Sequence, residues 1–218
     1  MAETAIEQAL SLHQSGDLDA AEQAYLDIVT DDSQNAEALK LLGVLSCQRG
    51  KFDDGINYLE AAIQIDDTVA EYHFALGQGY VATGKVEDGI KAMLEAGRVD
   101  PARADIYGAI GDTFQQIHNF PEALRAYQRA IALDSKNVNY KVGAGLTAIF
   151  SSQLDMATEY LEEVISERDN IPHAFYGLAL IKAESGDTQA AHDLISKSVA
   201  LDGNNPEYQR LKTLYAES

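Results

Sequence analysis

Residues 36–67 read AEALKLLGVLSCQRGKFDDGINYLEAAIQIDD, and this stretch decides the fold. Its apolar residues recur every three to four positions in two blocks, and Gly50 lies between the blocks. Recurrence at that spacing is typical of amphipathic helices, and a glycine between two such blocks is typical of a tight turn. The stretch therefore predicts two antiparallel helices joined by a short turn.

The same pattern returns every 34 residues along the chain, with Gly16, Gly84, His118, Ser152 and Gly186 at the phase of Gly50. It divides the chain into six repeats, 2–35, 36–69, 70–103, 104–137, 138–171 and 172–205, followed by 206–218. Position 8 of each repeat is always Gly or Ala, position 20 likewise, and position 24 is always large, as interlocking helices require. A fixed period of this length predicts stacked helical hairpins.

Two repeats carry a family signature. In the second repeat it consists of Leu39, Leu42, Gly43, Gly50, Gly55, Leu59, Ala62 and Ile63; in the fourth, of Tyr107, Ile110, Gly111, Phe114, Ala123, Tyr127, Ala130 and Ile131. These residues resemble the tetratricopeptide repeat. The resemblance implies an all-α fold, a right-handed α-solenoid of antiparallel helix pairs that forms a single domain over 1–218. The segment 206–218 is expected to be a capping helix, since a solenoid needs its last apolar face covered.

The fifth repeat departs most from this pattern. Lys141 stands where an aromatic or aliphatic residue is expected, Ala148 occupies another bulky position, and Ser152 replaces the turn glycine. These departures favour irregular packing in this repeat.

The resemblance also implies that the first helix of each repeat lines a concave groove, where a partner would bind. The groove of the third and fourth repeats is expected to be polar and mildly acidic, whereas the groove positions of the last two repeats are mainly apolar. The candidate partner-binding residues are Phe74, Gln78, Asp112, Gln115, Val142, Leu146, Ile149, Phe150, Tyr176 and Leu180. Two interpretations of the apolar set stay open. The first is a trough for a partner's amphipathic helix or extended apolar segment; the second is a set of core residues that tight superhelical closure or the C-terminal helix buries.

Charge is unevenly distributed. The chain of 218 residues has a formal net charge of −19, and the first repeat holds eight Asp and Glu with no Lys or Arg. Glu3, Glu7, Asp17 and Asp19 mark this acidic patch. It argues against nucleic acid and anionic membranes as partners, because both are themselves negative. The patch would attract a basic partner, or would serve only as a solvated face.

Residues that carry chemistry do not cluster in the sequence. The five histidines lie in different repeats without the spacing of a helical zinc site, and the single cysteine, Cys47, has no histidine near it. We therefore expect no catalytic, cofactor or metal site. The clamp with which some tetratricopeptide proteins hold a chaperone's terminal carboxylate is not expected either. The positions of the Lys, Asn and Arg side chains of this clamp hold Ile6, Leu10, Leu41, Glu71 and Ala75 here.

Two functions are consistent with the sequence. The first is a non-enzymatic scaffold or adaptor that binds an apolar and basic protein segment, and that could associate with copies of itself. The alternative is the substrate-recognition arm of a larger bacterial transferase of the O-GlcNAc transferase type, or a partner of such an enzyme, since LHQSGDLDAAEQAYLDIV resembles the repeats that precede those catalytic domains. The N-terminal sequence has no signal-peptide pattern and no apolar stretch is long enough for membrane insertion, so a cytoplasmic location is expected.

Overall fold

A computed structural model describes the backbone of residues 2–216 and the side chains of residues 4–216. Over that range the chain forms thirteen helices and no strand. The helices are α1 (Ala2–Gln14), α2 (Leu18–Asp31), α3 (Ala36–Gln48), α4 (Phe52–Ile65), α5 (Ala70–Ala82), α6 (Val86–Val99), α7 (Ala104–Gln116), α8 (Phe120–Leu133), α9 (Val138–Phe150), α10 (Leu154–Glu167), α11 (Pro172–Glu184), α12 (Thr188–Leu201) and α13 (Pro206–Ala216).

The helices follow the repeats of the sequence. In every repeat the first helix has 13 residues and the second has 14. The prediction of an all-α helical repeat fold is therefore confirmed.

The chain forms two compact units, residues 1–106 and 107–218, which we call the N-terminal and C-terminal units. The N-terminal unit has a core that includes Tyr25, Leu42 and Leu45, all at most 1% exposed. The C-terminal unit has its core around Tyr127 and Leu161.

Small residues let the two helices of one repeat cross closely. A Cβ placed on Gly77 of α5 would lie 2.9 Å from the carbonyl oxygen of Gly89 on α6 and 2.5 Å from Met93. A Cβ on Gly43 would likewise lie 2.7 Å from Leu59 and 2.9 Å from the carbonyl oxygen of Gly55. The small and large positions of the sequence pattern therefore meet face to face, which fixes the crossing point.

The turns within the repeats use a left-handed residue after the first helix. Four of these residues are glycines, but His118 and Ser152 adopt the same conformation, with φ of 58° and 56°. The Ser152 N–H donates to the carbonyl of Ile149 and the Gln153 N–H to the carbonyl of Ala148, both at 2.9 Å. Because these bonds satisfy the helix end, the turn keeps its geometry despite the unfavourable residue.

Aspartates close most of the second helices. The carboxylate that follows such a helix accepts a hydrogen bond from the backbone N–H two residues further along. The pairs are Asp32–Gln34, Asp66–Thr68, Asp100–Ala102, Asp134–Lys136 and Asp202–Asn204. The recurrence of aspartate at this position is therefore structural.

The structure accommodates two departures of the fifth repeat from the pattern, Lys141 and Ser152. Helices α9 and α10 have the regular lengths, and the Lys141 side chain is only 4% exposed. Its Nζ lies 3.0 Å from Glu163 Oε1 and 2.7 Å from Glu167 Oε1, both on α10. Burial by itself would lower the pKa of Lys141, but the hydrogen bonds to Glu167 and Glu163 outweigh it and the pKa is raised. The lysine thus fits the core as an ammonium with its charge compensated.

Helix α13 packs against α12 and the end of the sixth repeat. Tyr208 and Leu211 are 2% and 4% exposed and join a core cluster with Ala179 and Ile195. Residues 206–216 therefore cover the apolar side of the last repeat. Residues 217–218 of the expected capping segment lie outside the described range.

We expect Ser152→Gly to increase the free energy of unfolding by about 0.5–1 kcal/mol, because glycine adopts φ near 56° without a Cβ penalty. Chemical denaturation measures the change. Ser151→Gly is the matched control: Ser151 has φ −95°, so the same substitution should stabilise nothing there. Equal effects at the two positions would contradict this account of the turn.

We expect Lys141→Met to change the free energy of unfolding by less than about 1 kcal/mol, because the desolvation cost of the ammonium disappears together with its ion pairs. Glu163 and Glu167 are 47% and 39% exposed, so water can solvate them once the lysine is gone. Lys141→Ala, which leaves a cavity, should cost about 2 kcal/mol or more. A loss above about 3 kcal/mol for the methionine variant would show that the ion pairs are strongly stabilising.

Candidate functional site

The first helices of the C-terminal unit leave one stripe of their surface uncovered. On α9 the residues Val138, Lys141, Ala144, Gly145, Thr147 and Ala148 are buried, and solvent reaches the opposite side. We call the uncovered surface the open face. It consists of Asp112, Gln115, Asn139, Val142, Leu146, Ile149, Phe150, His173, Tyr176, Leu180, Ala183 and Glu184. All eight predicted partner-binding residues of this unit lie on it.

The apolar part of the open face is centred on α9. Phe150 is 55% exposed, and its ring stacks on Phe120 with the centroids 5.1 Å apart. Val142 and Ile149 are half-buried and pack against the core of the unit. Leu146 is also half-buried: a Cβ on Gly177 of α11 would lie 3.0 Å from its Cδ2. Each of these side chains thus packs against a neighbour within the unit and keeps part of its surface in solvent.

On α11 the open face meets the C-terminal helix. Tyr176 and Leu180 are half-buried and pack against the cluster that contains Tyr208 and Leu211 of α13. The Tyr176 and Tyr208 ring centroids are 5.3 Å apart. Helix α13 therefore covers part of this end of the face, while the α9 end is more open.

A buried tyrosine reaches the open face from the core. Tyr127 is 1% exposed, and its hydroxyl donates to Asp112 Oδ1 at 2.6 Å. Its oxygen also lies 3.1 Å from Gln115 Oε1. Because a phenol has a single hydrogen, the Gln115 amide satisfies this contact best with its NH2 turned toward Tyr127. Burial, and then the hydrogen bond to Asp112, raise the pKa of Tyr127, which keeps the phenol neutral.

The predicted residues of the N-terminal unit lie in two different environments. Phe74 is buried, with the Arg103 guanidinium 5.3 Å from its ring centroid, and Arg103 also binds Glu71 and Asp105. Gln78 is exposed at a pocket of about 220 Å³. The pocket is lined by Val44, Cys47, Phe52, Leu59, Ala75, Gln78, Gly79 and Ala82. The sequence prediction did not include this pocket. Small residues at Ala75, Gly79 and Ala82, spaced along one side of α5, are the signal that could have found it.

Part of the acidic patch is already paired within the chain. Asp17 accepts from the Ala20 N–H at the start of α2, and Asp19 and Glu22 lie 2.6 and 2.8 Å from Arg49 Nη1. Glu7 is exposed. The side chain of Glu3, also predicted for this patch, lies outside the described residues.

Groups that would support metal or nucleophilic chemistry do not converge in the described residues. No cluster of three or more His, Cys, Asp or Glu there could hold a metal ion. Burial raises the pKa of the Cys47 thiol, which disfavours the thiolate. His73 is buried, with Nε2 2.9 Å from the carbonyl oxygen of Asp67. None of the helices, over the described range, has the length and apolar character to cross a bilayer.

Solved structures with the same arrangement of helices are known. MamA is 24% identical over 74% of this chain and 94% of its own, with a TM-score of 0.69. YrrB, described as a TPR protein with an unusual peptide-binding site, is 16% identical over 88% of this chain and 99% of its own, with a TM-score of 0.74. The C-terminal part of a TPR repeat-containing protein from Cytophaga hutchinsonii is 17% identical over 97% of this chain and 85% of its own, with a TM-score of 0.80. At these identities the likeness concerns the fold.

Comparison at the level of sequence families is more specific. No curated protein sequence matches this chain. A family model described as the tetratricopeptide repeat matches residues 6–70 and 74–138, which together make up more than half of the sequence. Since these matches coincide with the helical pairs of the structure, the chain belongs to the tetratricopeptide repeat family.

Proposed function

We propose that this protein is a non-enzymatic interaction scaffold that binds a segment of a partner protein on the open face of the C-terminal unit. The observation that carries the proposal is the composition of α9. At positions 5, 9, 12 and 13 of the repeat, only the fifth repeat has four large apolar residues, namely Val142, Leu146, Ile149 and Phe150. The other repeats have at least one polar or small residue among these four positions.

The exposure of Phe150 indicates that the apolar residues of α9 serve to bind a partner rather than to stabilise the fold. At the position of Phe150, three of the other repeats have Gln, one has Ala and one has Glu. A phenylalanine at 55% exposure gains little from the core, whereas a partner that covers it would gain the burial of most of a ring. An apolar stripe on a single helix is suited to the apolar side of an amphipathic helix or to an extended apolar segment.

Charge indicates the polar character of the partner. The open face contains two carboxylates, Asp112 and Glu184, and neither Lys nor Arg. The whole chain is also strongly negative, with 16 Lys and Arg against 35 Asp and Glu. A partner segment with Lys or Arg beside its apolar residues would be attracted and oriented, while an acidic segment would be repelled.

The side chains of the open face favour binding over catalysis. They are mainly hydrocarbon, and Asp112 is already engaged with a neutral phenol. YrrB, with a described peptide-binding site, shares the fold and supports a peptide or protein segment as the occupant. No observation favours the transferase arm over a free scaffold.

The test is site-specific photo-crosslinking in the source cells, with p-benzoylphenylalanine in place of Phe150. We expect a crosslink to a discrete partner segment that carries apolar residues and Lys or Arg. Leu146→Asp in the same chain should reduce the crosslink at least about tenfold, because it places a charge in the apolar contact.

The matched control carries the crosslinker at Leu94 of α6, which is also exposed, at 50%, but lies in the N-terminal unit. Circular dichroism checks that both variants keep their helical content. The proposal fails if position 94 captures the same partner as efficiently, or if Leu146→Asp leaves the crosslink at position 150 unchanged.

A further inference from the structure

We propose that Asp112 is a pre-oriented acceptor for one Lys or Arg side chain of the bound segment, and that Tyr127 is the residue that positions it. This inference rests on the proposed function, since it assigns the partner's chemistry at one point of the open face. It depends on a contact that passes through the core from one helix layer to the other.

The path of this contact is built by two glycines. The Tyr127 ring lies between α7 and α9, where a Cβ on Gly111 would be 2.8 Å from the ring and a Cβ on Gly143 would be 2.6 Å from it. Any larger residue at either position would displace the ring. The absence of both side chains therefore lets a residue of α8 deliver its hydroxyl to the surface of α7.

The result is a carboxylate that is ordered before any ligand binds. Asp112 is exposed, and one of its oxygens accepts a hydrogen bond from the hydroxyl of Tyr127, a side chain that is itself only 1% exposed. The contact that orients Asp112 Oδ1 is a hydrogen bond from the Tyr127 phenol. The donor that orients it is neutral, so the site keeps its full negative charge. A cation that binds there does not have to pay for ordering the carboxylate.

The N-terminal unit has a similar contact with different chemistry. Tyr25 occupies the equivalent position and is also fully buried, and its hydroxyl lies 3.4 Å from His13 Nδ1. His13 Nε2 in turn lies 2.8 Å from Gln48 Oε1. The remaining repeats have Leu, Met or Ile at this position and cannot form such a contact. The Tyr127 hydroxyl therefore binds a carboxylate, whereas the Tyr25 hydroxyl contacts an imidazole.

The location of Asp112 determines where the ligand must carry its cation relative to its apolar side chains. Tyr127 touches both the Asp112 side of α7 and Gly143 of α9, so Asp112 borders the helix that carries the apolar stripe. A bound segment with apolar side chains on α9 would place its next residues near Asp112. Tyr127 occupies one lone pair of Asp112 Oδ1, which favours a cation on Oδ2, either a lysine ammonium or one arm of a guanidinium.

The experiment uses the full chain and a displayed library of 12-residue peptides. A peptide that binds wild-type protein is synthesised in two forms, with its Lys and Arg residues intact and with each of them replaced by Gln. Dissociation constants of both forms are measured by fluorescence anisotropy. For wild type we expect the basic form to bind about tenfold more tightly, the size of one charge-assisted hydrogen bond.

Three substitutions then separate the roles. Asp112→Asn should remove most of the tenfold preference and leave the Gln form unaffected, and the remainder comes from Glu184 and the net negative charge of the chain. Tyr127→Phe keeps the ring but loses the hydroxyl, and should reduce the preference to about threefold without weakening the Gln form. Asp155→Asn removes an exposed carboxylate of α10 that is not on the open face, and should leave the tenfold preference intact.

The outcomes distinguish this inference from the proposed function. A tenfold preference that survives Asp112→Asn overturns the role of Asp112. A preference unchanged in a folded Tyr127→Phe variant overturns the positioning role of Tyr127. If the library yields no binder, or if Leu146→Asp weakens neither peptide form, the proposed function itself fails.

Discussion

The close crossing of the two helices within each repeat is the constraint on which the rest of the structure depends. At the crossing of α5 and α6 there is no room for a Cβ between Gly77 and the backbone of Gly89. Once the helices touch at this point, the large residue four positions after the second small one must enter the core. The remaining sides of the first helix are then assigned in turn: one to the core, one to the neighbouring repeat and one to solvent. In the C-terminal unit, the solvent-facing sides of the first helices make up the open face.

The sequence predicts the fold well because the fold is made of local, repeated rules. A period of 34 residues, small residues at two positions and a large one at a third predict a pair of helices in each repeat, and the structure has such a pair in all six. The candidate site is less predictable. Whether Tyr176 and Leu180 face solvent depends on where α13 packs, and a repeat pattern contains no information on that. The partner of Lys141 could not be read from the sequence either, since Glu163 and Glu167 are 22 and 26 residues away.

Charge is arranged differently in the two units. Residues 1–106 contain 7 Lys and Arg against 20 Asp and Glu, and residues 107–218 contain 9 against 15. In the N-terminal unit Arg49 compensates two of the first repeat's carboxylates, so the formal charge overstates the field near that point. In the C-terminal unit the exposed Asp112, which accepts a hydrogen bond from a neutral phenol, lies beside apolar surface. The net charge therefore describes long-range attraction, whereas a single oriented carboxylate determines what can be recognised at close range.

The buried Lys141 also bears on how the repeats find their correct partners during folding. An array of similar helical pairs risks stacking a helix against the wrong repeat, because the apolar contacts are nearly interchangeable. Glu163 and Glu167 occupy positions 26 and 30 of their repeat. In four of the other five repeats at least one of these positions holds an apolar or basic residue. Stacked against any of those, the lysine would be buried without one or both of its carboxylates, at a considerable cost in free energy. A residue that weakens the resemblance to the repeat consensus thereby makes α9 specific for the second helix of its own repeat.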